Sequence, residues 1–357
     1  MVGKGASLLE DVVIVGGLLV AQCVLAGYVV FVDHLLGLGA HPLAIIAVAG
    51  VASAAFFLPF AVALERKRWP SKVSGTLLAQ LVLIALGGTS AFQELMLLGI
   101  KKTTPAVASA MPNLSPGLIF IVAACLRLER FDRACKYTRA KMAGTVVCLV
   151  GAMAMSFLHS AASSSSSSSP KEAAAAAAGS YCDWILGCSY LVGAAVVLAL
   201  VTVLQAATLA SFPAPLTMCS ITSAMGAAFT AILQVVVEGS FGMGSPKIDA
   251  TLIAGIVVMG GVVGGSCIVF QAWCLGKKGP LFVSVFGPVQ TVCSAILSAS
   301  LLGHKLSLGS LAGIVLMFTG LYLVLRAKRK ETLTLGLGGD HPQSQAYDAE
   351  KAAPLLS

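Results

Sequence analysis

Along the chain, apolar runs of about 20 residues alternate with short polar breaks, the pattern of consecutive membrane-crossing helices. Ten such runs are predicted, at 12–32, 42–64, 77–99, 105–126, 141–159, 184–205, 215–237, 251–275, 280–302 and 308–325. The first lacks a basic leader and a small-residue cleavage site, so it is expected to be a retained signal anchor. No stretch is left over for a globular domain, which places any function among the helices.

Composition agrees. The 357 residues are 57% hydrophobic and 11% charged, with mean hydropathy +0.92. A single soluble core cannot hide that much apolar surface. The fold class is therefore an all-α polytopic membrane protein with the lipid bilayer as its main partner.

The net charge of +8 raises nucleic acid as a partner, but the basic residues sit at helix ends, as they do when they orient helices in a bilayer. Ten crossings put both termini and the even-numbered connections on one side. That side holds most of the 23 Lys and Arg: Arg66, Lys67, Arg68, Lys72, the 127–141 connection, Lys277, Lys278 and the stretch after Arg326. It is expected to be cytoplasmic, with no nucleic-acid partner. The ten cysteines show no C-x-x-C pair and no histidine at metal spacing. They read as small packing residues, with no metal and no cofactor expected.

Residues 160–183 begin with a Ser- and Ala-rich stretch without an apolar face, predicted to be a disordered linker dividing the spans five and five. Shifting the chain by 175 residues superposes Pro105 on Pro280 and Ser109 on Ser284, and a shift of 173 brings Pro42-Leu43 onto Pro215-Leu216. Two related halves follow, each with an odd number of spans, so the second enters the membrane from the opposite side. Inverted repeats of this kind let two similar halves exchange conformations around a midplane site, an arrangement characteristic of transporters. The predicted organisation is an N-terminus at 1–11, repeats at 12–159 and 184–327, and a disordered cytoplasmic tail at 328–357. Leu355-Leu356 has the form of a dileucine sorting signal, but Lys351 stands where its acid would be.

Within the fourth run, ASAMPNLSPG carries Pro112, Pro116 and Asn113, the sole asparagine of the chain. Prolines inside a span free backbone carbonyls, which hydrocarbon tolerates only where protein or water satisfies them. A kinked helix facing a cavity is expected. The Asn-Leu-Ser sequon, buried in a span, is not expected to carry sugar. Ser109, Asn113, Pro116 and Phe120 share a helix face. Opposite them, by the 175 shift, fall Ser284, Pro288 and Thr291, with Gly287 and Gln290 beside them. Asn offers both donors and acceptor to a zwitterion, while an interhelical hydrogen bond is the plainer alternative.

Other polar groups inside spans are Gln22, Gln80, Gln93, Glu94, Gln205, Gln234 and Gln271. Each could be packing glue; Glu94, ionisable and deep, is the sharpest candidate for a proton or substrate role. The substrate-binding candidates are Asn113, Ser109, Pro116, Gln93, Glu94, Gln271, Ser284, Pro288 and Gln290. His34, His41, His159, His304 and His341 are scattered at ends or in the tail, so no catalytic constellation forms and no enzyme is expected. No phosphate-binding glycine loop with its lysine is found. No Lys or Arg sits mid-span, which argues against sugar phosphates and nucleotide sugars.

GIKKTTPAVASAMPNLSPGLIFIVAACLRLERF resembles the corresponding motif of the plant Walls-Are-Thin-related (UMAMIT) transporters of the drug/metabolite transporter superfamily. GKKGPLFVSVFGPVQTVCSAILSASLLGHKLSLGSLAGIVLMFTGLYLVL looks like its second-half counterpart, and the resemblance covers about residues 10–328. It implies two EamA-like domains of five helices each, export or bidirectional movement of amino acids, and auxin or other plant metabolites as the alternative. Met111, Asn113 and Pro116 match the family pattern. Gly287 stands where many relatives have lysine, and His304 where an acidic residue is common. A plasma or vacuolar membrane location is expected, and a scaffold or receptor that merely keeps the fold is the remaining alternative.

Overall fold

A computed structural model describes residues 2–69, 74–102, 115–125, 139–140, 142–147, 150, 177–239, 242–244 and 249–302, with parts of 312–327. Every regular element among them is helical. In chain order these are α1 (Val2–Gly37), α2 (Pro42–Glu65), α3 (Gly75–Ala85), α4 (Phe92–Lys102), α5 (Ser115–Cys125), α6 (Ala177–Ser211), α7 (Pro215–Glu238), α8 (Ala250–Gly255), α9 (Gly265–Lys278), α10 (Pro280–Ser284) and α11 (Gly287–Leu302). Six helical stretches among the described residues are long and apolar enough to cross a membrane. Their outward faces carry large apolar side chains such as Val20, Leu58, Leu83, Ile232 and Val236. A bilayer accommodates a surface of that kind.

α6 begins at Ala177 and so includes residues 177–183, the end of the stretch read as linker. Alanine is the strongest helix former, so the helix extends back into the alanine run. The N-terminal eleven residues are likewise helical from Val2. Residues 105–114, 160–176 and 328–357, and with them Ser109 and Asn113, lie outside the described residues.

The repeat appears in the helices themselves. Pro42–Glu65 and Pro215–Glu238 are equal in length and offset by the same 173 residues, each opened by a proline whose missing N–H is harmless in the first turn. Among the described residues, α2 and α7 form the largest interhelical contact. Gly50 of α2 lies against the Ser223 carbonyl and Ala227 of α7. Since Gly50 and Ser223 correspond under the repeat, the pseudo-twofold axis passes between them.

The third span of each half is interrupted by a wide π turn, Leu86–Ala91 between α3 and α4 and Ile256–Gly264 between α8 and α9. Hydropathy does not register such an insertion, and both were expected as plain helix. Each π segment packs on the second helix of the opposite half, at matching positions. Gly226 of α7 touches Thr89, and Ser53 of α2 touches Gly265 at the start of α9. Small residues at these crossings let the backbones approach closely, which substitutes in lipid for the missing hydrophobic drive.

Candidate functional site

α9 ends at Gly279, whose φ of +88° is open to glycine without strain, and Pro280 starts α10 at the next residue. After five residues the helix breaks at Val285–Phe286 and resumes as α11. Pro288 explains the break, since it has no N–H for the Ser284 carbonyl four residues back. α10 packs directly against α5. α5, which carries Pro116, and the span that carries Pro288, predicted to confront each other, are in contact through α10.

Beside that contact is a cavity of about 530 Å³, within the ~300–1,000 Å³ usual for small-molecule sites. α1 supplies Gln22, α5 supplies Ser115 and Pro116, and α6 supplies Thr202 and Gln205; Gln271 comes from α9, Ser284 from α10, and Pro288, Gln290, Thr291 and Ser294 from α11. The remaining walls are aliphatic, among them Ile119, Leu198, Ile268 and Val283. Among the described residues, no Asp, Glu, Lys or Arg lines it. Gln22 Oε1, Ser115 Oγ and Gln271 Nε2 are buried without a protein hydrogen-bond partner. Such atoms are costly unless water or a ligand reaches them.

Of the candidate residues, Pro116, Gln271, Ser284, Pro288 and Gln290 line this one cavity. Gln93 and Glu94 are not: on α4, away from the cavity, Gln93 is half-buried and Glu94 exposed. Gln22 and Gln205, named only among general polar groups, join the lining. The plain packing role holds for two others. Gln80 Oε1 lies 3.4 Å from the Thr208 hydroxyl, and Gln234 Nε2 donates to the Gly242 carbonyl at 2.7 Å.

The cavity is shut at one end. Along α1 the order is Asp11, then buried Ile14 and Leu18, then Gln22; along α6 it runs from Gln205 to buried Leu209, and along α9 from Gln271 to buried Leu275 and on to Lys277. Phe282 and Phe286, with rings 5.5 Å apart, complete this apolar plug. Outside it, Lys278 pairs with Asp11 at 2.5 Å and Lys277 with Glu10. At the same end, the buried Glu65 carboxylate crosses from α2 to the first turn of α7. There it accepts from the backbone N–H of Leu216 at 3.1 Å, and from the N–H and hydroxyl of Thr217 at 2.7 and 2.8 Å. A carboxylate at a helix N-terminus satisfies otherwise orphaned donors and the helix dipole together.

The EamA-like transporter family model matches this chain twice, over residues 13–157 and 185–326. The chain belongs to the EamA-like transporter family. Two WAT1-related proteins of Arabidopsis thaliana are 41% and 43% identical to this transporter, covering 98% and 89% of it and 94% and 89% of their own lengths. Protein WALLS ARE THIN 1 of the same plant is 31% identical, over 92% of this chain and 87% of its own. A crystal structure of another protein superposes with TM-score 0.65 at 18% identity, covering 90% of this chain and 99% of that one, a likeness of fold. This EamA-like protein is an integral membrane transporter for a small molecule and not an enzyme. Membership also decides for transport over a scaffold role.

Proposed function

We propose that this transporter moves amino acids or related small organic solutes by alternating access, as an exporter or bidirectional facilitator. The observation that carries the reading is the cavity beside the α5–α10 contact, polar by amides and hydroxyls and free of charged side chains among the described residues. Amides donate to a carboxylate and accept from an ammonium, so a zwitterion of zero net charge meets complementary dipoles and no uncompensated ion. A phosphorylated solute would lack the lysine or arginine it needs. Gln22, Gln271, Ser284 and Gln290 are the proposed contacts, with Pro116 and Pro288 holding the helices open around them. Asn113, three residues before Pro116 in the sequence, is proposed as a further contact.

Efflux of a labelled panel of amino acids, with an indole carboxylic acid added, from cells expressing the protein tests this. Amino-acid efflux that falls in Asn113→Ala and Gln271→Leu at equal surface abundance is the expected result. Efflux of the indole carboxylate alone would overturn it in favour of an auxin-like substrate. The basic end is proposed as cytoplasmic, in a plasma or vacuolar membrane, following the charge bias of the connections.

A further inference from the structure

α1 of the first repeat and α11 of the second pack side by side and form one wall of the cavity. At their seam the thiols of Cys23 and Cys293 meet, with the sulfurs 3.4 Å apart. No other cysteine pair among the described residues touches in this way. Both are free; Cys23 is exposed and Cys293 only partly covered. Their chain neighbours are cavity residues, Gln22 before Cys23, and Thr291 and Ser294 on either side of Cys293.

We infer that Cys23 and Cys293 form a redox-sensitive pair, which a peroxide converts to a disulfide that clamps α1 to α11 along the cavity wall. A disulfide needs sulfurs about 2.05 Å apart, so the pair must close by roughly 1.4 Å, the scale of a small side-chain rotation or helix slide. The chemistry balances with hydrogen peroxide, an uncharged oxidant small enough to enter the seam. One sulfur, giving up its proton, attacks a peroxide oxygen; the O–O bond breaks, and water leaves with formation of a sulfenic acid. The second sulfur, giving up its proton, attacks the first, forming the S–S bond and releasing a second water. Two thiols lose two electrons and the peroxide gains them. The link ties one repeat to the other across the cavity edge; its effect on transport rests on the alternating-access reading, whereas its formation does not.

The test inserts a protease site in the Ser163–Ser169 run of the full chain, so that Cys23 and Cys293 fall on separate fragments. Membranes are treated with hydrogen peroxide, cleaved, and run on a non-reducing gel. The two halves of the wild type are expected to migrate together until a reductant separates them, and those of Cys23→Ala and Cys293→Ala to separate at once. Wild-type halves that separate despite peroxide, or a Cys23→Ala protein that stays linked, would overturn the pair; the wild-type lane decides even if a variant folds poorly. In parallel, peroxide is expected to remove most amino-acid efflux from the wild type, reversibly with dithiothreitol, and to spare both variants. A linked protein with full efflux would overturn the clamp. No efflux even when reduced would strike at the substrate reading, with the gel still deciding the disulfide.

Discussion

At the scale of single residues, the cavity amides and the Glu65 carboxylate carry the sharpest expectations. A buried donor left without its partner costs about 1–3 kcal/mol. Gln271→Leu should therefore weaken apparent affinity roughly ten- to a hundred-fold, read as a raised KM for the transported solute. Glu94→Gln should leave KM within about two-fold, because Glu94 sits on an exposed face of α4 away from the cavity. Equal losses in both variants would remove the distinction. Glu65→Ala strips three hydrogen bonds from the first turn of α7. A loss of about 1–3 kcal/mol should appear as a lower thermal midpoint of the protein in detergent, and Glu65→Gln should recover part of it.

Among the elements, α2, α7 and the two π segments hold the halves together through backbone approach. A Cβ on Gly261 would stand 2.5 Å from that of Ala52, and one on Gly260 2.9 Å from that of Ala49. Gly261→Val should force α2 away from the π segment, with an overpacking cost of about 1–3 kcal/mol, lowering the yield of folded protein. Gly16→Val meets nothing within 4 Å and should fold normally. Spans, proline starts and the 173-residue repeat were legible in the chain because each leaves a local mark: an apolar run, a Pro, a repeated spacing. The π turns leave none. They depend on how α2 and α7 seat against the third span of the opposite half, and a one-residue insertion changes neither the length nor the overall hydropathy of a span.

For the whole molecule, the question is what keeps the cavity shut at its basic end. An exposed ion pair contributes roughly 0–1 kcal/mol, whereas emptying a buried phenylalanine site costs about 3–5 kcal/mol. The Glu10–Lys277 and Asp11–Lys278 pairs are at least partly exposed, while Phe286 is fully buried. The plug should therefore hold the closure. Phe286→Ala is expected to make the buried Cys274 react with a membrane-impermeant maleimide from the basic side, followed by mass spectrometry. Asp11→Asn should change that reactivity by no more than about five-fold. The reverse order would assign closure to the ion pairs.

The sequence by itself determined a polytopic helical membrane protein with a duplicated architecture, a proline-broken ninth span, and no mid-span lysine or arginine suited to a phosphorylated cargo. All of these follow from composition and spacing along one dimension. Only the tertiary structure decided which glutamines reach the cavity, since helices apolar on every side carry no periodicity that orients them, and the faces of Gln22, Gln80, Gln205 and Gln234 are set by neighbours far along the chain. The same reason hid the Glu65 cap, which joins residues about 150 apart, and the Cys23–Cys293 contact, which joins residues 270 apart.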